Sequence, residues 1–276
     1  MNGGVRIVTD SNTMLPWALA DDLGIVVVPL TITIDGTELT ENDDLDVSDA
    51  YQRLRRGAPA TTSAPSPGSF AAAYDLLYGS TIVSVHIGSN FSGTANAARL
   101  GASLAGIDVH VVDTGHASFM AGCCVIAAAQ AAREGRDSAA VIAAAARTAI
   151  EVATIFTLTE IDRARAGGRL DGHADDDVAG VPLIRSVAGA FEQIGTVITE
   201  QAAASAMFDA VAADPRRLRI GVGDADAGAV VDDLYERLRL ARPDDEIIRY
   251  VVGPTVAAHA GMGTFGIVHH PVDRAL

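Results

Sequence analysis

No lysine occurs in the 276 residues, so all 20 residues counted as Lys or Arg are arginine. A Schiff-base lysine and the lysine of a Walker-type phosphate loop are therefore excluded. The same coding bias that supplies the many alanines accounts for the gap. Asp and Glu number 35 and set a net charge of −15, which argues against a nucleic-acid or anionic-membrane surface. Aromatic residues make up only 5% while hydrophobic residues reach 49%, so the core is built from Ala, Val, Ile and Leu. There are two cysteines, Cys123 and Cys124, adjacent within an apolar helical pattern. Neighbouring cysteines close no useful loop, and the pair reads as buried free thiols in a reducing compartment. Long apolar runs are also missing. The stretch from Ala117 to Ala129 is too short to span a bilayer and is broken by Ser118 and Gly122. The opening "MNGGVRIVTD" lacks the basic segment and apolar run of a secretory signal. These features together predict a soluble cytoplasmic protein without stable membrane insertion.

The length suits one large domain or two small ones. "VRIVTDS" is a β-rich run ending in Asp10 and Ser11, and Asp35-Gly36 within "IVVVPLTITIDGTEL" is a hairpin signal. Asp43 to Arg56 carries acids first and arginines last, the polarity a helix dipole favours, and Gly57 ends it. Ser66-Pro67 reads as an N-cap with proline at the first helical position, which puts Thr61 to Ser63 in the loop feeding that helix. "TIVSVHI" and "IDVHVVD" are further strands flanking a helix that starts near Ser92, and two Ala-rich helices follow. Alternation of strand and helix up to about residue 155 predicts a mainly parallel sheet with helices on both faces. A boundary near 155 is expected, giving an N-terminal α/β domain (1–155) and a smaller C-terminal α+β domain (156–276) with a mixed sheet. In the second part "TIFTLT" and "AFEQIGTVIT" read as strands, the latter as a strand or a hairpin bent at Gly195. "RLRIGVG" and "EIIRYVV" are expected strands, and "GPTVAAHAGMGTFGIV" is expected to be a glycine-dense loop holding His259.

Ligands of such sheets bind beyond the carboxyl ends of the strands. Asp10-Ser11, Ser89 to Thr94 and Asp113-Thr114 all follow strands and are expected on one edge. Within "VSVHIGSNFSGTANAAR", Ser92, Gly93 and Thr94 open a helix, where either Ser92 simply caps the helix or backbone N–H groups and two hydroxyls can face an anion. Thr62-Ser63 repeats that arrangement before a second helix. A phosphate would recruit Arg or Lys as well, and neither loop supplies one, so a singly charged carboxylate is the better match. Ser92 as a nucleophile is the alternative, making the protein a serine hydrolase or small-molecule phosphotransferase with His86, His110, His116 or His259 as base. The surrounding residues do not form a G-x-S-x-G elbow. Asp10, Asp113 and His116 are conceivable ligands for a hard metal, although Asp after a strand more often caps a turn. "HADDD" (173–177) reads as a solvated charge run and His269-His270 as surface.

Six segments in order resemble the DegV family of bacterial fatty-acid-binding proteins: "IVTDSN", "TTSAPSPGSF", "IGSNFSGTANAA", "VVDTGHAS", "RARAGGRL" and "GPTVAAHAGMGTFG". Ala64 stands where the family has Gln, Thr114 where it has Ser, and Met262 where it has Pro. The resemblance implies two α/β domains, the N-terminal one carrying the carboxylate-binding loops and the C-terminal one covering a long acyl chain. By motif position, Thr62, Ser92 and His259 would bind the carboxylate. Ser63, Gly93, Thr94, Asp10, Ser11 and Asp113 would line the pocket, with no metal and no cofactor beyond the bound fatty acid. The protein would then be the non-catalytic, lipid-presenting subunit of a fatty acid kinase, whose separate ATP-binding subunit forms the acyl phosphate. Arg163, Arg165 and Arg169 are candidates for docking that subunit. Some members carry an Arg near the head group, but "VITEQAAASA" has none here, so the carboxylate would depend on hydroxyls and His259.

Overall fold

The computed structural model describes residues 3–160, 180–187 and 190–272. Two compact units divide the chain: Met1–Asp46 with Ala58–Ile150, and Val47–Gly57 with Glu151–Leu276. The expected boundary at 155/156 falls inside a strand, Ala153–Thr157, that pairs only with strands of the second unit. The second unit also takes the helix at Val47–Arg55, which a single cut in the chain does not capture.

The first unit holds a parallel sheet in the order β2-β1-β6-β7, made by β1 (Gly3–Asp10), β2 (Val26–Val28), β6 (Ser80–His86) and β7 (Val109–Asp113). Val8, Val28 and Ile82 bury one face against α3 (Pro67–Asp75) and α4 (Thr94–Ala105), through Phe70, Tyr74 and Ala98. The Ala-rich helix α5 (Phe119–Arg133) packs against β1 and β6, and its buried Cys123 and Cys124 are free thiols. Burial is the main force that pushes the Cys124 thiol pKa far up. Helices α1 (Trp17–Leu23) and α6 (Ser138–Glu151) complete the α/β pattern.

A second sheet of this unit is antiparallel, in the order β4-β3-β5, with β3 (Thr31–Ile34), β4 (Thr37–Thr40) and β5 (Ala60–Ser63). Asp35 and Gly36 both have positive φ, 50° and 75°, as a two-residue type I′ hairpin requires. Thr61 to Ser63 therefore lie in a strand rather than in the expected loop: Thr62 stands opposite Ile32 and Ser63 opposite Thr31. The helix after them starts as read, with Ser66 Oγ accepting the Ser69 N–H at 3.0 Å and Pro67 in the first turn.

The second unit is built on a mixed sheet in the order β10-β9-β8-β13-β11-β12. Its strands are β8 (Ala153–Thr157), β9 (Val181–Val187), β10 (Ala190–Val197), β11 (Leu218–Asp224), β12 (Glu246–Val251) and β13 (Phe265–Pro271). Ile220 and Val222 pack beneath α7 (Glu200–Ala212) and α8 (Ala229–Ala241) through Met207, Val211, Leu234 and Leu238. Three sequence expectations change here. β10 is one strand whose register slips between Gln193 and Gly195, a bulge rather than a hairpin. His259 sits on a short helix, α9 (Pro254–Ala260), rather than in a loop. His270 is buried within β13 rather than on the surface, because its strand lies at the centre of the sheet. The helix at 47–55, α2, belongs to this unit, where the Tyr51 hydroxyl donates to the Val252 carbonyl at 2.6 Å.

Candidate functional site

Residues at the carboxyl ends of β1, β6 and β7 gather on one edge of the parallel sheet. Asp10 accepts the Ile87 N–H at 3.2 Å, Asp113 accepts the Ser89 N–H at 3.1 Å, and the Gly88 N–H donates to the His116 carbonyl at 2.7 Å. Gly88 has to be glycine. A Cβ there would fall on Asn90 Oδ1 and within 2.7 Å of Gly115 Cα, a backbone atom. Gly93 has open space at the same position. We expect Gly88→Ala to cost about 1–3 kcal/mol of unfolding free energy by forcing two loops apart, and Gly93→Ala to cost less than about 1 kcal/mol. Urea unfolding of both variants checks this, and equal costs would refute it.

The loop opened by Gly88 leads into α4, whose N-cap is Gly93, with no side-chain cap from that residue. The Ser92 and Thr94 hydroxyls lie 2.8 Å apart, and the Thr94 N–H donates to Ser92 Oγ at 3.3 Å. Thr94 is fully buried and Ser92 half-buried. Two hydroxyls sharing one hydrogen bond leave one proton over. Thr94 is the more enclosed of the two, and the arrangement in which it donates leaves the spare proton on Ser92, at the entrance of a helix whose dipole favours an anion. Among the described residues the Ser92 hydroxyl pairs with Thr94. Thr62 is half-buried on β5, and Ser63 is exposed beside it.

Asp10, Ser11 and Asp113, expected in the pocket wall, are engaged in internal hydrogen bonds. Ser11 Oγ donates to Glu41 Oε2 at 2.8 Å and accepts the Leu30 N–H at 3.0 Å. Asp113 accepts from the N–H groups of Ser89 and Gly115. Burial alone would raise its carboxyl, but bonds from Ser89 and Gly115 and the charge of Arg99 outweigh burial and hold it below the usual range. The His116 Nε2 donates to the Ala149 carbonyl at 2.7 Å, and burial lowers the pKa of its ring. Among the described residues no group of three or more His, Cys, Asp or Glu is placed to hold a metal ion.

Sequence reasoning missed a file of four buried side chains. The His86 Nδ1 lies 2.8 Å from Asp10 Oδ2, its Nε2 2.6 Å from Ser84 Oγ, and that oxygen 2.9 Å from the Tyr74 hydroxyl. Desolvation, only partly offset by the bond to Ser84, pushes Tyr74 up to about 12. The order Asp–His–Ser is that of a hydrolytic triad, but all of these side chains are fully buried and Ser84 Oγ is committed to Tyr74. The signal was present in "TIVSVHI", where Ser84 and His86 sit two apart in an apolar strand and so share a face.

In the second unit His259 is half-buried in the last turn of α9. The end of that helix is pinned from β8: the Thr159 N–H donates to the Ala260 carbonyl at 3.1 Å and the Thr159 hydroxyl to the Met262 carbonyl at 3.0 Å. Arg163, Arg165, Arg169 and the run at 173–177 lie outside the described residues. Among the described residues no helix is long and apolar enough to cross a membrane.

The family model described as an uncharacterised protein of the DegV family matches residues 4–272. A DegV domain-containing protein of Streptomyces coelicolor is 33% identical over 279 residues, covering 97% of this chain and 99% of that relative. One from Mycobacterium tuberculosis is 32% identical over 276 residues, 95% and 96% of the two chains. A solved structure from Thermus thermophilus, described as fatty acid binding of a DegV family protein, matches with a TM-score of 0.87 at 29% identity over 98% of this chain and 100% of that one. DegV from Bacillus subtilis, described as a fatty acid binding protein, shares the fold at a TM-score of 0.88 and 22% identity, covering 98% and 100%. The two-unit α/β architecture, the order of the motifs and a match running almost from end to end agree: this chain belongs to the DegV family.

Proposed function

We propose that the protein binds a long-chain fatty acid and presents it to a separate ATP-dependent kinase subunit, without itself catalysing a reaction. Thr62 and Ser92 donate hydrogen bonds to the carboxylate. In the kinase step a carboxylate oxygen attacks the γ-phosphorus of ATP, giving the acyl phosphate and ADP.

One observation carries this reading: the paired hydroxyls of Ser92 and Thr94, 2.8 Å apart at the entrance of α4, with no cation beside them in sequence. Neutral donors suit a single negative charge, each contributing roughly 1.5–3 kcal/mol against a charged acceptor. Burying about 14 methylenes at roughly 0.8 kcal/mol each supplies on the order of 11 kcal/mol before association costs. The Thermus relative is described by the same ligand class.

The test is denaturing extraction of the purified protein followed by lipid mass spectrometry, wild type beside Thr62→Ala/Ser92→Ala. Near-stoichiometric C14–C18 free acid in wild type is expected, falling to below about a tenth in the double variant, as the loss of two donors predicts. A wild type that is empty and takes up neither added oleate nor palmitate overturns the proposal. Adding ATP and a candidate kinase then tests presentation separately: acyl phosphate should form only with both.

A further inference from the structure

We infer that Asp10 and His86 are positioning residues for the anion-binding loop at Gly88–Thr94, an inference that rests on the fatty-acid reading of that loop. The Asp10 carboxylate is fully buried and accepts three bonds, from Asn12 N–H at 3.1 Å, Ile87 N–H at 3.2 Å and the His86 Nδ1 at 2.8 Å. Its backbone donors fix its role as acceptor, so the Nδ1 carries a proton. Its Nε2 lies 2.6 Å from Ser84 Oγ, which lies 2.9 Å from the Tyr74 hydroxyl, so the ring is held at both nitrogens.

Its two ends fall on either side of Ser92. Ile87, held by Asp10, is the residue before the glycine that opens the loop. The Tyr74 hydroxyl also lies 3.5 Å from the Ala98 carbonyl, one turn into the helix that the loop enters. The same buried file therefore touches the segment before the loop, through Ile87, and the helix after it, through Ala98. Replacing Asp10 by Asn removes one acceptor oxygen and presents an N–H₂ to the three donors, so the ring or the Ile87 N–H loses its partner and the loop is released.

The experiment compares affinity for oleate with affinity for oleyl alcohol, which has the same chain and no charge, in wild type, Asp10→Asn and His86→Gln. Oleate binding is expected to weaken about tenfold in both variants, the usual scale for groups that orient direct ligands, with oleyl alcohol unchanged within about twofold. A merely structural role would weaken both ligands together or leave both alone, and either result overturns the inference. Amide NMR of the wild type provides a check that does not depend on variants folding. The Ile87 and Asn12 N–H signals should move with oleate and stay with oleyl alcohol; signals that stay with both sink the idea. If wild type takes up no oleate, the fatty-acid reading itself falls. If wild type binds and the variants keep its acid-over-alcohol ratio, only the positioning role falls.

Discussion

Arg242→Ala lowers the unfolding free energy by about 3–5 kcal/mol, the cost of breaking a buried ion pair from one side. The guanidinium follows α8 and reaches back across the second unit. Its Nε pairs with Asp245, and both side chains are less than a tenth exposed. Its Nη1 donates to the carbonyls of Val211 at 2.8 Å and Asp214 at 2.7 Å, and its Nη2 to that of Arg216 at 2.6 Å. Val211 is in the last turn of α7, so a fixed cation satisfies a carbonyl the helix leaves orphaned, at the end where the dipole favours positive charge. Asp245 in turn accepts the Leu218 N–H at 3.0 Å, fixing the first residue of β11. One side chain thus ties the ends of two helices to the sheet they cover. Arg242→Lys should recover little, because an ammonium group has no planar fork with which to reach carbonyls on several sides. In Arg242→Ala/Asp245→Ala the loss should be smaller than the sum of the single losses, since no unpaired charge remains. Urea unfolding of wild type, Arg242→Ala, Arg242→Lys, Asp245→Ala and the double variant measures this, and a loss below about 1 kcal/mol in Arg242→Ala would refute it.

That latch was invisible in sequence for the same reason that the file from Tyr74 to Asp10 was: both join residues far apart in the chain. Local signals carried much of the rest. Asp35-Gly36 specified its hairpin because only a turn with two positive φ values closes two residues between these strands. Ser66-Pro67 specified a helix start, and the polar residues after β1, β6 and β7 meet on one edge because parallel strands all end there. The errors arose where tertiary pairing overrode local composition. Thr61 to Ser63 follow a proline and precede a helix cap, and read as a loop until β3 offers them a partner strand. "GPTVAAHAG" reads as a glycine-rich loop, yet Pro254 opens a helix and the N–H groups of Thr159 and Glu160, from β8's side of the unit, close its far end at the Ala260 carbonyl. β9 went unread beside a long polar run. Of the candidate ligands, the hydroxyls of Thr62 and Ser92 and the imidazole of His259 could be named from motif position. That Thr94 pairs with Ser92 at the helix entrance emerged only from the fold.

Wild type is expected to lose about 3 kcal/mol of unfolding free energy between pH 7 and pH 4 through His270. Only 3% exposed in β13, it lies opposite Arg219, which is 2% exposed, across the sheet. Its Nδ1 donates to the Pro271 carbonyl at 2.8 Å, and its Nε2 lies 3.4 Å from an Arg219 Nη1, whose N–H it accepts. Protonating Nε2 would set N–H against N–H and place a second cation beside a guanidinium whose Nε and Nη2 already occupy Glu246. Burial first, and the Arg219 charge second, therefore lower the ring from 6.5 to about 4. The sign follows from proton counting. The unfolded chain takes up this proton near pH 6.5 and the folded one near pH 4, so between them the unfolded state binds more protons and gains stability as pH falls. Each unit of difference is worth about 1.4 kcal/mol, hence about 3 kcal/mol over the window, with no further loss from this group below pH 4. His116 and His269 are lowered by burial and add to the same trend, whereas Asp113, held low, withdraws its contribution only in stronger acid. His270→Gln removes one titration and leaves the others. It should be less stable than wild type at pH 7 by about 1 kcal/mol, the worth of an imperfectly replaced hydrogen bond, and more stable at pH 4.5. Urea midpoints across that range should therefore cross, and two parallel curves would show that His270 does not carry the acid sensitivity.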